Sequence, residues 1–174
     1  MLLNSLKKQI LRKKIDSKLR KVDGQLKDKS MPIKTVGCLI DGSLISDLSY
    51  FKELSTILNV HHNNIFLLTF NNDKKAEPYR IGLTVSRKSI SWKSDINSDD
   101  ANEFMSREYD LLINYFKKSN SVLGLISSYT DAFFRVGFEN IDNRFNDLIF
   151  SSQMSEKDVF KIELERYLKI MNKI

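Results

Sequence analysis

From Ser5 to Val22 a leucine, isoleucine or valine returns every three to five positions, with lysine and arginine filling most of the gaps. Leu3, Leu6, Ile10, Leu11, Ile15, Leu19, Val22 and Leu26 follow the three-to-four spacing that gathers side chains on one stripe of a helix. The pattern predicts an amphipathic helix of roughly 25 residues, ~38 Å long at 1.5 Å per residue. Gly24 weakens its last turn by about 1 kcal/mol relative to alanine. Pro32 marks the end of the connector that follows.

After Thr35 the pattern changes. "TVGCLI" (35–40) and "IFLLTF" (65–70) are short apolar runs without alternation, the form of strands buried on both faces. Between them Ser46 is a candidate cap for a helix over Asp47–Leu58, whose Leu48, Phe51, Leu54, Ile57 and Leu58 share one side. Residues 71–97 are mostly polar, with weak strands expected at 81–85 and 89–92. Asn97 or Ser98 is placed to cap a short helix through Met105. "YDLLINYF" (109–116) is a third strong strand, followed by a helix over 119–132 and strands at 133–138 and 147–151. Ser155 with Asp158 resembles a capping box opening a last helix to about Met171. Alternating strands and helices predict a three-layer, Rossmann-like α/β fold with a mostly parallel sheet and helices on both faces, preceded by the long basic helix. The expected organisation is a helical arm over 1–30 and a single α/β domain over 31–174.

Charge sharpens that division. Residues 1–34 hold 11 Lys and Arg against 3 Asp, a net +8, while the rest of the chain nets −2. The arm carries all the excess positive charge, which suggests an anionic partner for it. Its candidate contact residues are Lys7, Lys8, Arg12, Lys13, Lys14, Lys18, Arg20 and Lys21. The other account is that the arm lies across its own body. Cys38 is the only cysteine, so no internal disulfide is available and a zinc site would rest on His and carboxylates. The longest apolar run is about six residues, far short of the ~18 of a membrane-spanning helix. Lys7 and Lys8 interrupt any secretory h-region, so a cytoplasmic protein is expected.

Chemistry in an open parallel sheet sits beyond the carboxyl ends of its strands. Asp41 and Ser43 occupy that position after the first strand, and Asn114 and Lys117 after the third. These four are the candidate crevice ligands, although Asp41-Gly42-Ser43 also reads as a plain turn and Lys117-Lys118 as a solvated one. There is no GxGxxG, no phosphate-binding GxxxxGK[ST] and no GxSxG. His61 and His62 are adjacent, a poor spacing for two metal ligands. Asp95, Asp99, Asp100 and Glu103 are a candidate carboxylate cluster, but acids are also favoured at a helix start. Trp92 with Lys88 and Lys93 offers an aromatic-basic surface, or simply an edge-strand anchor. No catalytic residue, metal or cofactor is expected.

The succession of Lys-rich helix, "VGCLIDG", "NIFLLTF", "SISW", "YDLLINYF", "AFFRVGF" and "NDLIF" resembles a family of small uncharacterised bacterial proteins known only as a domain of unknown function. The resemblance runs nearly end to end and implies the fold but no activity. A partial likeness links Tyr109–Phe138 to the N-terminal half of heptosyltransferase-type glycosyltransferases. It implies one Rossmann-like half without the donor site, so no catalytic residue is carried over.

Three functional readings follow. The leading one is a non-enzymatic binding protein whose basic helix engages RNA or a ribonucleoprotein such as the ribosome. The second is an adaptor that meets an anionic membrane surface or a protein partner, including a twin, through the same helix. The third is a transferase-like or degenerate nucleotide-sugar-related enzyme using the sheet crevice.

Overall fold

The computed structural model describes residues 2–22, 31–45, 47–71, 82–139 and 141–174, with the first helix's side chains described at Leu6 and from Gln9 to Leu19. Its elements are α1 (Leu2–Val22), β1 (Val36–Asp41), α2 (Ser49–Leu58), β2 (Ile65–Phe70), β3 (Leu83–Val85), α3 (Asp99–Met105), β4 (Glu108–Tyr115), α4 (Ser121–Tyr129), β5 (Asp131–Phe138), β6 (Leu148–Phe150) and α5 (Lys157–Ile170). The six strands form one sheet in the order β3-β2-β1-β4-β5-β6, every pair parallel. The expected Rossmann-like α/β architecture is therefore present, with the reversal of strand order falling between β1 and β4.

Strand register assigns the faces. Cys38, Ile113 and Val136 stand side by side, as do Ile40 and Tyr115. On this face Tyr115 meets Phe51 of α2, Phe138 of β5 and Phe160 of α5 at ring-centroid distances of 5.2, 5.1 and 5.7 Å. These edge-on contacts add about 0.5–1.5 kcal/mol each beyond the area they bury. The Tyr115 hydroxyl donates to the Met154 carbonyl. The opposite face carries Gly37, Leu39, Leu112, Asn114, Arg135 and Gly137 beneath α3 and α4. Gly37 is needed there: a Cβ would stand 3.0 Å from both Phe104 of α3 and Tyr109.

The first strand is also tied at its start. The Asp110 carboxylate accepts the backbone N–H groups of Lys34 and Thr35 and the Thr35 hydroxyl at 2.8–3.0 Å. Asp110 and Leu111 both donate to the Thr35 carbonyl at 3.1 Å, a bulge where β4 begins.

A buried polar cluster lies under α4. Ser127 donates its hydroxyl to Asn114, whose amide meets that of Asn146 at 2.8 Å. With its amide turned over, Asn146 would donate to the Val136 and Phe145 carbonyls at 3.2 Å. Gly137 leaves room for this amide, since a Cβ there would stand 2.4–2.8 Å from the Asn146 side chain. Gly137→Ala is expected to lower stability by about 1–3 kcal/mol, measured as a reduced urea midpoint. An unchanged midpoint would mean that Asn146 swings away without loss.

Several expectations need correction. Residues 89–92 are not a strand. Ser86 caps a 3-10 turn over Arg87–Ser89 and a tight turn follows at Ser91–Ser94, leaving one antiparallel bridge between Ile90 and Ile96. Ser155 and Asp158 form no capping box: α5 begins at Lys157, its cap Glu156 makes no side-chain cap bond, and the Glu156 carboxylate accepts from the Gln153 N–H at 2.8 Å. The helix expected over 119–132 is shorter: Asn120 caps α4, which spans Ser121–Tyr129, and Asp131 and Ala132 belong to β5. Ser98 does cap α3, accepting from the Ala101 N–H at 3.3 Å. Ser46, Gly24 and Ile81 lie outside the described residues. Among the described residues no helix is long and apolar enough to cross a membrane.

Candidate functional site

Segment α1 is the most basic element, and the middle of its apolar stripe lies on the body, while Leu6 nearer its start is 48% exposed. Leu11 and Leu19 are buried, and Ile15 packs against the same core. The surface that receives them is α4, whose residues 122–128 are all buried. A helix buried all round is covered on both sides. The sheet covers one side, and on the other the Ile15 Cδ1 lies 3.7 Å from where a Gly124 Cβ would be.

Polar contacts fix the flanks of α1. The Lys14 ammonium reaches Asp95 Oδ1 at 2.6 Å and the Ser94 carbonyl at 3.3 Å. That hydrogen bond holds the Asp95 carboxyl below its ordinary range. Asp16 pairs with Arg144 at 2.7 Å, and Arg144 also holds Asp142 at 2.7 Å. Arg144 is thereby raised, and Asp142 lowered, from their usual values. The Lys18 ammonium lies 4.2 Å from the centre of the Tyr129 ring.

What remains on the outer side is cationic. Arg12 and Lys13 are exposed and have no carboxylate partner among the described residues. The side chains of Lys7, Lys8, Arg20 and Lys21 lie outside the described residues. Beside α1 the Ser91–Ser94 turn presents Trp92, 49% exposed, and exposed Lys93. The turn is braced by Ser91 N–H to the Asp95 carbonyl at 2.8 Å and by Asp95 N–H to the Ser91 hydroxyl at 3.0 Å. The Lys14–Asp95 pair therefore joins this turn to α1.

The crevice candidates do not converge. Asp41 Oδ1 accepts the Ser43 N–H and hydroxyl at 3.1 and 2.7 Å, closing a local turn. Its Oδ2 accepts from the Asn120 amide at 2.9 Å, while Asn120 Oδ1 caps α4 through the Leu123 N–H. The carboxylate thus ties the end of β1 to the start of α4 across the switch point. Asn114 faces Ser127 and Asn146 instead, and Lys117 is exposed. A shallow cavity of about 370 Å³ lies elsewhere, lined by Tyr50 and residues 155–159.

The other candidates separate likewise. His61 Nδ1 accepts from the Asn63 N–H at 3.2 Å, and both histidines are exposed. Asp95 pairs with Lys14, Asp100 accepts from the Thr84 N–H, and Glu103 pairs with Arg107. Among the described residues no three His, Cys, Asp or Glu side chains gather to hold a metal. Burial pushes the Cys38 thiol up, away from reactivity.

Sequence reasoning missed Asn120, Ser127, Arg135 and Asn146, the polar residues that organise α4. Ser127 and Arg135 carry a signal, polarity inside an otherwise apolar stretch, whereas Asn120 and Asn146 sit among polar neighbours and carry none. A family model described as a family of unknown function (DUF6913) matches residues 7–171. No curated protein and no solved structure matches the chain significantly.

Proposed function

We propose, for a chain that belongs to this family of unknown function (DUF6913), that it is a cytoplasmic, non-enzymatic protein presenting the outer face of α1 to RNA or to a ribonucleoprotein such as the ribosome. The observation that carries this reading is a pair of solvent-facing cations on a helix whose Leu11, Ile15 and Leu19 are already taken up by the body. Leu11 and Leu19 are buried on the body, while Arg12 and Lys13 face solvent without carboxylate partners among the described residues. A membrane or a partner helix would have to compete with α4 for that stripe, which favours the polyanion. The half-exposed Trp92 with Lys93, tied to α1 through Asp95, supplies a stacking surface beside the cations.

A single-stranded oligouridylate tests the proposal by filter binding over a salt series. Five or six neutralised phosphates give a slope of log K on log[salt] of about −3.5 to −4. Arg12→Ala with Lys13→Ala should flatten it by about 1.4. Trp92 is the only tryptophan, so its fluorescence should be quenched as a base stacks. No retention at ~50 mM salt, or retention indifferent to salt, would sink the reading. Flotation with anionic vesicles but no RNA retention would favour the lipid reading instead.

A further inference from the structure

We infer that α5 is the interface of a weak, two-fold symmetric homodimer, formed by the helix packing antiparallel against its copy. Phe160, Leu164 and Leu168 are fully buried on the body of the chain. The helix nevertheless carries a second stripe. Val159, Ile162, Tyr167 and Ile170 are 45, 62, 37 and 65% exposed. With Glu163 and Arg166 they occupy positions i, i+3, i+4, i+7, i+8 and i+11, the spacing of a packing face. Four of the nine large apolar side chains exposed among the described residues fall on this one helix. A soluble surface has no need to concentrate them there.

The stripe is complementary to itself, and that selects the occupant. Antiparallel docking about a two-fold axis between Leu164 and Glu165 sets Val159 against Ile170 of the copy. It also sets Glu163 against Arg166 of the copy, and both pairs recur on the other side of the axis. Ile162 and Tyr167 flank the seam. Within one chain Arg166 and Glu163 meet only at 3.4 Å, with the Arg166 side chain 63% exposed, so the pair is free to re-form across the interface. A closed interface of this kind uses one patch twice and leaves no second patch open. The exposed apolar area is a few hundred Å² per chain, which places the dimer at the weak end of specific interfaces. The seam lies on the sheet face opposite α4, so α1 points away from it and the proposal stands apart from any role of α1.

Sedimentation of the full chain from about 1 to 300 µM tests this. The expected result is a shift from monomer to dimer across that range. Ile162→Asp should keep the chain monomeric throughout with an unchanged melting temperature, because the residue is mostly exposed. Arg166→Glu or Glu163→Arg alone opposes like charges twice, and each should weaken association at least tenfold. The double swap Glu163→Arg with Arg166→Glu should restore it to within about threefold of the parent. A monomer at every concentration would overturn the proposal. So would a dimer that Ile162→Asp leaves intact, or one that the single charge changes do not weaken.

Discussion

Leu11→Ala with Leu19→Ala is expected to leave the full chain unfolded or aggregating at 37 °C. Both side chains are buried, at 4 and 2% exposure, and Ile15 between them lies with Phe145 over Gly124 of α4. Each truncation costs about 2–4 kcal/mol through lost transfer energy and the cavity left behind. The pair therefore removes much of the roughly 5–15 kcal/mol that holds a domain folded. Deleting residues 1–28 should act in the same direction, by exposing the outer side of α4. Arg12→Ala with Lys13→Ala is the control. These are exposed side chains on the same helix, and changing them should alter the unfolding free energy measured in urea by no more than about 0.5 kcal/mol. If the leucine variant unfolded at the parent's urea concentration, α1 would be an appendage rather than part of the core.

Arg135→Ala should be nearly as damaging, for a different reason. Arg135 rises from β5 into the space below the end of α4 and is 5% exposed. Its Nη1 donates to the Ser127 carbonyl at 3.0 Å and its Nη2 to the Thr130 carbonyl. A buried guanidinium thus adds donors at a helix C-terminus, where the Ser127 carbonyl otherwise has only the Thr130 N–H at 3.3 Å among the described residues, and its charge complements the helix dipole. Burial lowers the Arg135 pKa from the usual arginine value, and nearby Asp147 and Asp131 oppose that shift. Alanine takes the guanidinium donors from both carbonyls in a low dielectric and opens a cavity, at about 3–5 kcal/mol. Arg135→Met fills the space without donating, so it should cost about 2 kcal/mol less than alanine. Amide exchange at Ile126–Thr130 should accelerate in both variants. Unchanged exchange there would show that the helix end is held by something other than this side chain.

The strands were legible where burial is total. "IFLLTF" is β2 to the residue, because a strand covered on both faces has no polar alternation to blur its ends. Weak segments were not: 89–92 failed as a strand because serine hydroxyls offered the backbone tighter local bonds than a sheet edge could. The helical stripe of α1 was visible, but not what it covers. The clue lay a hundred residues away, in "SVLGLISS", a helix with no charged residue. The crevice shows a related limit. Asp41 and Asn114 were placed correctly beside strand ends, but their partners Asn120, Ser127 and Asn146 come from other elements, and one-dimensional spacing does not show which polar groups will satisfy each other.

The packing of α1 on α4 also sets an order of events during synthesis. About 100 residues separate the end of α1 from the start of α4, so at 5–20 residues per second the helix waits about 5–20 s before its binding surface has been made. Through that interval Leu11, Ile15 and Leu19 have no native cover, and the chain's greatest concentration of positive charge sits on the nascent polypeptide. The docking of α1 is a late, non-local step that closes over a sheet whose strands β1 to β4 have already been translated. A chaperone that shields the stripe, or slower elongation across β4 and α4, would act on this step before any other.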